Sequence, residues 1–477
     1  MSKMRLAIVG AGPAGIYAAD LLLKAERDFE VEIDLFEQLP APYGLVRYGV
    51  SPDHPRIKGI INALRDVLDS GADGALGAGA EGTGHGGAEG GSIRYFGNVR
   101  YGQDITLEDL KAHYNAVIFS TGAIRDADLT IPGIDAAGSY GAADFVSWFD
   151  GHPDVPRNWP LEAAEVGVIG NGNVALDISR MLIKHADDLL PTEIPDNVYR
   201  GLKENPIQDL HLFGRRGPKY VKFTPLELRE LGEVRDVDMV IDERDFDRDD
   251  AYADETLAKN KQVLVMTRVM DKWRQEQRER EEAGTHASRR LHMHFWSKPV
   301  EVVVEDGRVA GLKIERTAPD GQGGVIDTGE FEVIPMQSLY RAIGYFGSPL
   351  DEIPFDDAAG VIPNVQGRVQ DLEGQQIPGV YATGWIKRGP IGLIGHTKSD
   401  AMETLECLLE DRDALWEPET TDADAVPALL RAREVPYTTI DGWRRLDEHE
   451  LGLGEAEGRT RIKVVSREDM TRISRGE

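Results

Sequence analysis

Two glycine-rich turns constrain this chain more than any other feature of its sequence. The first is Gly10-Ala11-Gly12-Pro13-Ala14-Gly15, and the second is Gly170-Asn171-Gly172-Asn173-Val174-Ala175. Each follows a short apolar run and opens a segment with helical spacing of apolar residues. Glycines in such a turn let backbone amides approach a pyrophosphate at the N-terminus of the helix, where the helix dipole favours anions. We therefore expect two dinucleotide-binding units.

The first glycine turn, residues 10–15, sits in a complete strand, turn, helix and strand pattern. Leu6–Val9 has the apolar run of a buried parallel strand, and the spacing of apolar residues predicts a helix over Ile16–Leu23. A second strand is predicted over Val31–Phe36, and Glu37 follows it directly. A carboxylate there accepts from both ribose hydroxyls and repels a 2′-phosphate, so this unit suits FAD or NAD. The alternative is a glycine turn that only closes a doubly wound fold.

The second glycine turn, residues 170–175, differs in its last residue and in the residues that follow its next strand. Ala175 replaces the final glycine, and the strand predicted over Leu210–Phe213 ends in Gly214-Arg215-Arg216-Gly217 instead of an acid. Guanidinium groups bind phosphate oxygens through paired hydrogen bonds. The second unit is therefore predicted to bind NADP, the alternative being that the two arginines occupy a solvated turn.

Composition excludes several classes of function. A chain of 477 residues with 41% hydrophobic residues should form two or more domains with buried cores. Cys407 is the single cysteine, so no intramolecular disulfide and no dithiol mechanism is possible. The 54 Lys and Arg residues against 83 Asp and Glu residues give a net charge of -29, which opposes binding to nucleic acid and to anionic membranes.

Two segments, residues 6–19 and residues 70–92, resemble a secretory signal and a phosphate-binding glycine loop. We interpret the first as part of the dinucleotide-binding fold and the second as a surface loop. The apolar stretch over residues 6–19 follows two basic residues, as in a secretory signal, but its glycines and Pro13 fit the phosphate-binding turn better. It is also too short to span a bilayer, and we expect a cytoplasmic protein. From Ser70 to Ser92 glycine dominates, which predicts a flexible surface loop inserted between Leu68 and Ile93.

Further motifs are spread over nearly the whole chain. They are Gly44-Leu45-Val46-Arg47, Pro52-Asp53-His54-Pro55, Gly170 to Asp177, Gly214-Arg215-Arg216-Gly217-Pro218, Leu226-Glu227-Leu228-Arg229-Glu230 and Gly384-Trp385-Ile386-Lys387-Arg388-Gly389-Pro390. With the first glycine turn, they make the chain closely similar to the adrenodoxin-reductase-like family of ferredoxin-NADP reductases. The resemblance implies an α/β fold with two Rossmann-like dinucleotide-binding domains, of the glutathione-reductase-like flavoprotein type.

The resemblance also implies that an NADP domain is inserted into an FAD domain. We expect the FAD domain at residues 1–122 and 333–412, the NADP domain at residues 123–332, and a C-terminal extension at residues 413–477. We assign no chemistry to that extension.

The cofactors implied by the resemblance are a non-covalent FAD and NADP. The FAD-binding positions fall on Gly10, Gly12, Ala14, Gly15, Glu37, Leu45, Val99, Trp385, Gly392, Leu393 and Ile394. The NADP-binding positions fall on Asn171, Gly172, Asn173, Val174, Arg215, Arg216 and Glu227, with Gly392 also against the nicotinamide. A family position that is often arginine is Ala127 in this chain, and Arg125 is the candidate to replace it. For Trp385, the alternative role is that of a buried core residue.

His54 and Glu227 are the predicted catalytic residues. An imidazole can donate to a flavin-side acceptor near neutral pH, and a carboxylate can orient the nicotinamide carboxamide. Hydride transfer needs no general base, so the expected role of both is positioning. The alternative for His54 is a structural residue in a proline-bounded turn. His292 and His294 alternate as on a strand without further ligands, so no metal site is predicted.

The activity implied by the resemblance is electron transfer from NADPH, through FAD, singly to a ferredoxin. NADPH delivers a hydride and an iron-sulfur protein accepts one electron at a time, and a flavin converts between the two. Because ferredoxins are usually acidic, a local cationic patch must overcome the repulsion between the two proteins, which salt confines to roughly 8 Å. Lys387 and Arg388 are the candidates for this patch. The alternatives are a diaphorase or quinone reductase with a small acceptor, and an electron-input subunit, which usually carries N-terminal cysteines that this chain lacks before Gly10.

Overall fold

A computed structural model of the protein describes residues 3–76, 91–251, 259–322, 324–390 and 397–477. The chain folds into two compact units. The first unit contains Met1–Arg125, Asp150–Asp154 and Tyr345–Glu477, and the second contains Asp126–Phe149 and Val155–Gly344.

The helices and strands are numbered in chain order. The first group is β1 (Lys3–Val9), α1 (Pro13–Lys24), β2 (Glu30–Glu37), α2 (Leu45–Tyr48), α3 (Pro55–Lys58), α4 (Ile60–Leu76), β3 (Gly91–Gly97), α5 (Leu107–His113), β4 (Ala116–Phe119), β5 (Arg125–Asp126), β6 (Ser139–Gly141) and α6 (Ala142–Phe149). The second group is β7 (Glu165–Ile169), α7 (Asn173–Ile183), α8 (Asp196–Lys203), β8 (Asp209–Phe213), α9 (Pro225–Gly232), β9 (Val237–Ile241), α10 (Glu243–Ala251), α11 (Lys261–Ala283), β10 (Arg289–His294), β11 (Ser297–Glu305), β12 (Arg308–Pro319), β13 (Val325–Pro335) and β14 (Ser338–Arg341). The third group is β15 (Tyr345–Phe346), β16 (Asn364–Val365), β17 (Arg368–Gln370), β18 (Gln376–Ala382), α12 (Trp385–Arg388), α13 (Thr397–Glu410), α14 (Ala425–Ala432), α15 (Ile440–Ala456) and α16 (Arg467–Arg475).

The first unit is built on a seven-stranded sheet in the order β16-β17-β18-β4-β1-β2-β3. Its five strands from β18 to β3 run parallel, and β16 and β17 extend it in antiparallel fashion. Residues 6–9 of β1 are apolar on both faces because both faces are covered: Leu6 and Ile8 pack into one core cluster, and Ala7 and Val9 into another. The first glycine turn thus leaves the carboxyl end of a central strand.

The second unit contains a fully parallel six-stranded sheet in the order β6-β14-β7-β8-β10-β9. A separate antiparallel sheet has the order β11-β12-β13. Ile169 and Phe213, at the ends of β7 and β8, share a core cluster with Val302 and Leu312 of the smaller sheet. The second glycine turn connects β7 to α7, so it also leaves a central parallel strand.

The glycine-rich loop predicted from Ser70 to Ser92 is wrong at both ends. Helix α4 continues through Leu76, and β3 begins at Gly91. The helix continues because Leu68 is buried in the core and Gly71 lies against Ile93, where an added β-carbon would fall 2.7 Å from Ile93 Cδ1. The rest of the predicted loop, residues 77–90, lies outside the described residues.

The second unit extends to Gly344 instead of ending near Glu332. The reason is β14, which pairs in parallel with β6 and β7 inside the larger sheet of that unit. The C-terminal extension is part of the first unit, since Trp443 and Met470 lie in the same core cluster as Leu6 of β1. Among the described helices, none combines the length and the apolar character that crossing a bilayer requires.

Candidate functional site

The three glycines of the first turn have different local roles. Gly10 has φ 110°, and a β-carbon there would lie 2.5 Å from the Ser120 carbonyl oxygen. A β-carbon on Gly15 would lie 2.1 Å from the Gly10 carbonyl oxygen, so both positions require glycine for the close approach of α1 to the sheet. Around Gly12 the nearest atom to such a carbon is 3.9 Å away, at Gly44 Cα, and α1 begins there without a side-chain cap from the described residues. This turn has the open front and the uncapped amides that an anionic pyrophosphate needs.

Glu37 lies beside the first glycine turn, at the carboxyl end of β2. Its Oε2 accepts a hydrogen bond from the Ala11 amide at 2.9 Å, and its Oε1 accepts from the Leu39 amide at 3.2 Å. Burial raises the pKa of the Glu37 carboxyl from 4.5 to about 7, against the lowering effect of these amides. A carboxylate at this position can accept hydrogen bonds from ribose hydroxyls, and its ionisation is sensitive to what binds next to it.

Two further predicted FAD positions lie around the same turn. Tyr43 donates its amide to the Ala11 carbonyl oxygen at 2.8 Å, and half-buried Leu45 begins α2 two residues later. Val99 donates its amide to the Glu37 carbonyl oxygen at 2.9 Å. Leu45 and Val99 are thus tied through backbone hydrogen bonds to the segments that carry the glycine turn and Glu37.

The motif at residues 384–390 also reaches the first glycine turn. Gly384 has φ 76°, and a β-carbon there would lie 2.7 Å from Ala14 Cβ. Trp385, which begins α12, is half-buried and belongs to neither core cluster described for the unit, which argues against a core role. Gly392, Leu393 and Ile394, the other predicted flavin contacts, lie outside the residues that the structure describes.

Asp400 is a residue that the sequence interpretation missed. It lies in the first turn of α13, is buried, and its Oδ2 accepts hydrogen bonds from the Gly384 amide and, at 3.1 Å, from Thr383 Oγ1. It therefore holds the turn that presents Trp385. The only signal in the sequence is an acidic residue early in a helix, which is common in ordinary helices.

The predicted cationic patch at Lys387 and Arg388 is wrong. Lys387 is buried, and its Nζ lies 3.2 Å from Asp400 Oδ1 and 2.6 Å from Glu403 Oε2. Arg388 lies 3.4 Å from Asp400 Oδ1. Both cations pair with carboxylates of their own unit, the buried Asp400 and the exposed Glu403, so they do not form a free cationic surface for an acidic partner.

The second glycine turn repeats the geometry of the first within the second unit. Gly170 has φ 154°, and a β-carbon there would lie 2.2 Å from the Ala342 carbonyl oxygen. No atom of the described residues lies within 4 Å of such a carbon on Gly172, and none of their side chains caps α7, which begins there. The turn accommodates Ala175, which is fully buried, in place of the final glycine. Its open front again suits a pyrophosphate, with Asn173 and Val174 in the first helical turn.

Arg215 and Arg216 follow β8, and their backbone is fixed from two sides. Thr317 Oγ1 donates to the Arg215 carbonyl oxygen at 2.7 Å, and the Trp296 amide donates to the Arg216 carbonyl oxygen at 3.2 Å. Arg215 is exposed and Arg216 is half-buried. A β-carbon on Gly214 would lie 2.7 Å from the Asn171 side-chain nitrogen, so the arginines begin next to the second glycine turn. The pair is an anchored cationic group beside a dinucleotide turn.

Glu227 and His54 lie in different units. Glu227 is buried in the first turn of α9, whose N-cap residue Thr224 donates its amide to Asn173 Oδ1 at 2.9 Å. The second glycine turn and the start of α9 are thus connected directly. His54 is buried in the first unit, immediately before α3. Arg125 is exposed, and its guanidinium lies 5.9 Å from the Phe346 ring centroid.

The histidines of β10 make side-chain contacts along the sheet. His292 Nε2 lies 2.6 Å from Asp209 Oδ1, and His294 Nε2 lies 2.9 Å from His211 Nδ1. Burial and the neighbouring histidine charges lower the pKa of His294 to about 3, which keeps this imidazole neutral. In the part of the chain that the structure describes, no group of three or more His, Cys, Asp or Glu residues is arranged to hold a metal ion.

The sequence and the fold of this chain are similar to those of known proteins. Residues 4–209 match the family described as pyridine nucleotide-disulphide oxidoreductase. The chain is 38% identical to the NADPH-ferredoxin reductase FprA of Mycobacterium tuberculosis over 100% of both chains. It is 34% identical to human mitochondrial NADPH:adrenodoxin oxidoreductase, covering 98% of this chain and 91% of the human protein. A solved structure of M. tuberculosis FprA in complex with NADPH superposes with a TM-score of 0.85 at 36% identity, covering 99% of this chain and 100% of FprA.

The similarity to the two relatives extends over 98–100% of the chain, and the family match over residues 4–209 includes both glycine turns. The fold class predicted from the sequence, α/β with two Rossmann-like units, is confirmed. The predicted family is confirmed as well. The chain belongs to the family of NADPH-ferredoxin reductases and NADPH:adrenodoxin oxidoreductases.

Proposed function

We propose that this protein is an FAD-dependent reductase that oxidises NADPH and delivers the electrons to a ferredoxin. The observation that carries the proposal is the contrast between the two glycine turns. One is bordered by the buried acceptor Glu37, and the other by the anchored pair Arg215 and Arg216. An acid excludes a 2′-phosphate and a pair of arginines selects one, so the two sites have different dinucleotides as ligands.

In this proposal the first unit holds FAD. The uncapped amides of α1 bind the pyrophosphate past Gly12, and Glu37 accepts from the ribose. Leu45, Val99 and Trp385 supply apolar contacts along the cofactor. When bound, FAD supplies the conversion between two-electron and one-electron transfer that NADPH and an iron-sulfur protein cannot make alone.

The second unit holds NADPH as substrate. The first-turn amides of α7 bind the pyrophosphate past Gly172, and Arg215 and Arg216 bind the 2′-phosphate. Thr317 and Trp296 hold the backbone of the two arginines in place, which reduces the entropy lost when the phosphate binds. Specificity for NADPH over NADH therefore resides in this pair.

We assign positioning roles to His54 and Glu227. Glu227 orients the nicotinamide carboxamide, helped by the hydrogen bond that ties Thr224 to Asn173. His54 donates a hydrogen bond on the flavin side. Neither is asked to remove a proton during hydride transfer, so each contributes through alignment of the reacting groups.

The proposed acceptor is a ferredoxin, and the proposed location is the cytoplasm. The name of the M. tuberculosis relative specifies a ferredoxin, and that relative is similar to this chain over its entire length. A net charge of -29 disfavours association with nucleic acid or anionic membranes. Because Lys387 and Arg388 are paired internally, the ferredoxin contact must use other residues.

Cytochrome c reduction tests the acceptor. The purified holoenzyme with NADPH is given cytochrome c alone, then with a [2Fe-2S] ferredoxin, and separately a soluble quinone. We expect cytochrome c reduction to require ferredoxin and to saturate with its concentration. Reduction of the quinone at equal or higher kcat/KM, with no stimulation by any ferredoxin, would identify a small-molecule reductase instead.

A further inference from the structure

The C-terminal extension makes buried ionic contacts with a segment next to the first glycine turn. Glu450 of α15 is completely buried, and its two carboxylate oxygens accept from Arg47 Nη1 at 3.0 Å and Nη2 at 2.5 Å. Arg47 is itself 3% exposed. A bidentate ion pair of this kind fixes the orientation of both side chains. Loss of either partner leaves the other as a buried, unpaired charge.

Glu450 is held in place by residues of its own extension. Arg461 Nη1 donates to Glu450 Oε2 at 2.9 Å, and the Val464 amide donates to Glu450 Oε1 at 3.0 Å. Glycine at position 454 permits the return of the chain, since a β-carbon there would lie 2.4 Å from Arg461 Cα. The extension therefore holds the Glu450 carboxylate through one contact to each oxygen, in addition to the pair with Arg47.

A second cation from the extension binds the backbone of the same segment. Lys463 Nζ donates to the Arg47 carbonyl oxygen at 2.8 Å and to the Asp150 carbonyl oxygen at 3.1 Å. Trp443 of α15 adds an aromatic contact, with the Arg47 guanidinium 5.2 Å from the centre of its ring. The extension therefore contacts the end of α2 through both the side chain and the backbone of Arg47.

This segment is in direct contact with the first glycine turn. Tyr43 has φ 84°, donates its amide to the Ala11 carbonyl oxygen and accepts a hydrogen bond from Trp443 Nε1 at 3.3 Å. A β-carbon on Gly44 would lie 3.1 Å from Gly12 Cα. A positive φ at tyrosine is a costly conformation that persists only where surrounding contacts enforce it. Two residues of the extension supply such contacts: Trp443 donates to Tyr43, and Glu450 accepts from Arg47.

We infer that Glu450 is a positioning residue for the flavin: by holding Arg47, it fixes residues 43–48 against the first glycine turn and makes the C-terminal extension part of the FAD site. The inference rests on the proposed function in that it takes FAD as the ligand of this turn. Because coupling between two sites is reciprocal, docking of the extension strengthens FAD binding and FAD strengthens docking of the extension by the same factor.

The test compares Glu450→Gln with Glu448→Gln, an exposed position on the same helix. FAD release from each holoenzyme is followed by the rise in flavin fluorescence, and the visible circular dichroism of bound FAD is recorded well below the melting temperature. We expect release from E450Q to be about ten-fold faster or more, with an altered flavin dichroism, because a buried partner has been removed. E448Q should match the wild type, and Glu450→Asp should recover part of the effect.

The result that overturns the inference is an E450Q protein with a lower melting temperature but wild-type FAD release and flavin dichroism. That outcome would mean that Glu450 supports the fold alone. If E450Q does not fold, amide hydrogen exchange in the wild type decides: FAD should slow exchange over residues 443–450 and 43–48, and equal exchange with and without FAD overturns the inference.

The two proposals fail in different ways. A wild-type protein that holds FAD and shows ferredoxin-dependent activity, while E450Q behaves as E448Q, leaves the proposed function intact and removes the inference. A wild-type protein that never binds FAD removes both.

Discussion

Gly384 lies in contact with Ala14, at a separation that leaves no room for a β-carbon between them: one built on Gly384 would be 2.7 Å from Ala14 Cβ. Ala14 is in the first turn of the helix that leaves the first glycine turn, and Gly384 precedes Trp385. The motif at residues 384–390 thus packs onto the first glycine turn at residues 10–15.

Gly384→Ala should therefore damage the FAD site more than a positive φ alone explains. The substitution combines a backbone conformation that is essentially restricted to glycine (φ 76°, ψ -150°), which costs other residues about 1–3 kcal/mol, with a collision against Ala14. We expect FAD to leave the variant at least about ten-fold faster than the wild type. Gly374→Ala is the matched control, since Gly374 has φ 83° and no atom of the described residues within 4 Å of an added β-carbon. Equal FAD loss in both variants would contradict the role of the Ala14 contact.

Asp400→Asn should weaken the turn at Gly384, because the Asp400 carboxylate accepts a hydrogen bond from the Gly384 amide. It removes the charge that lies 3.2 Å from Lys387 and 3.4 Å from Arg388, and it weakens the acceptor for the Gly384 amide. Loss of a buried ionic partner should lower the free energy of unfolding by about 3–5 kcal/mol. Glu403→Gln removes a half-exposed partner of the same lysine and should cost no more than about 1 kcal/mol. Urea unfolding of the holoenzymes measures both, and similar values for the two variants would argue against a special role for Asp400.

Replacing Arg215 and Arg216 together by alanine should convert the preference for NADPH into near indifference. Each charge-assisted contact to the 2′-phosphate contributes about 1.5 kcal/mol or more, so the KM for NADPH should rise about 100-fold while that for NADH changes little. Arg244→Ala is the control, because Arg244 is exposed in the same unit and pairs with Asp242. Steady-state ferricyanide reduction gives kcat and KM with NADPH and kcat and KM with NADH. An equal rise in KM for both nucleotides would remove these arginines from the specificity role.

FAD affinity should increase with pH through the titration of Glu37. Burial raises the pKa of this carboxyl to about 7 without the cofactor, whereas hydroxyl donors from a ribose favour its ionised form. Binding then releases a proton, so the dissociation constant falls as pH rises from about 5.5 to 7 and levels off above that range. Glu37→Gln should bind FAD more weakly at high pH and without this dependence. A wild-type profile that is parallel to the E37Q profile would show that another group is responsible.

The local patterns predicted the fold well where one periodicity was enough to define an element. Strand β1, helix α1 and strand β2 follow from an apolar run, a glycine turn and a second apolar run. The same holds for β7 and α7. The last residues of helix α4 fall in the segment predicted as a loop because glycine dominates residues 70–92, whereas Gly71 packs closely on Ile93.

The supporting residues of the site could not be predicted, because their function depends on contacts between distant parts of the chain. Lys387 next to Arg388 has the composition of a surface patch, and only the position of Asp400 shows that the lysine is buried and paired. Glu450 and Arg47 likewise meet through the tertiary fold, and neither carries a local signal of an ion pair. Residue type and spacing predict which positions face a ligand. The residues that hold those positions in place can be identified only from the structure.

Anaerobic reduction of the purified holoenzyme shows directly whether electrons pass from NADPH through FAD to a ferredoxin. The flavin absorption band is followed after one equivalent of NADPH or NADH is added, and a [2Fe-2S] ferredoxin is then introduced. We predict rapid bleaching by NADPH, much slower bleaching by NADH, and reoxidation of the flavin as the ferredoxin is reduced. A protein that binds no FAD, or whose NADPH-reduced flavin does not transfer electrons to any ferredoxin supplied, is not the proposed reductase.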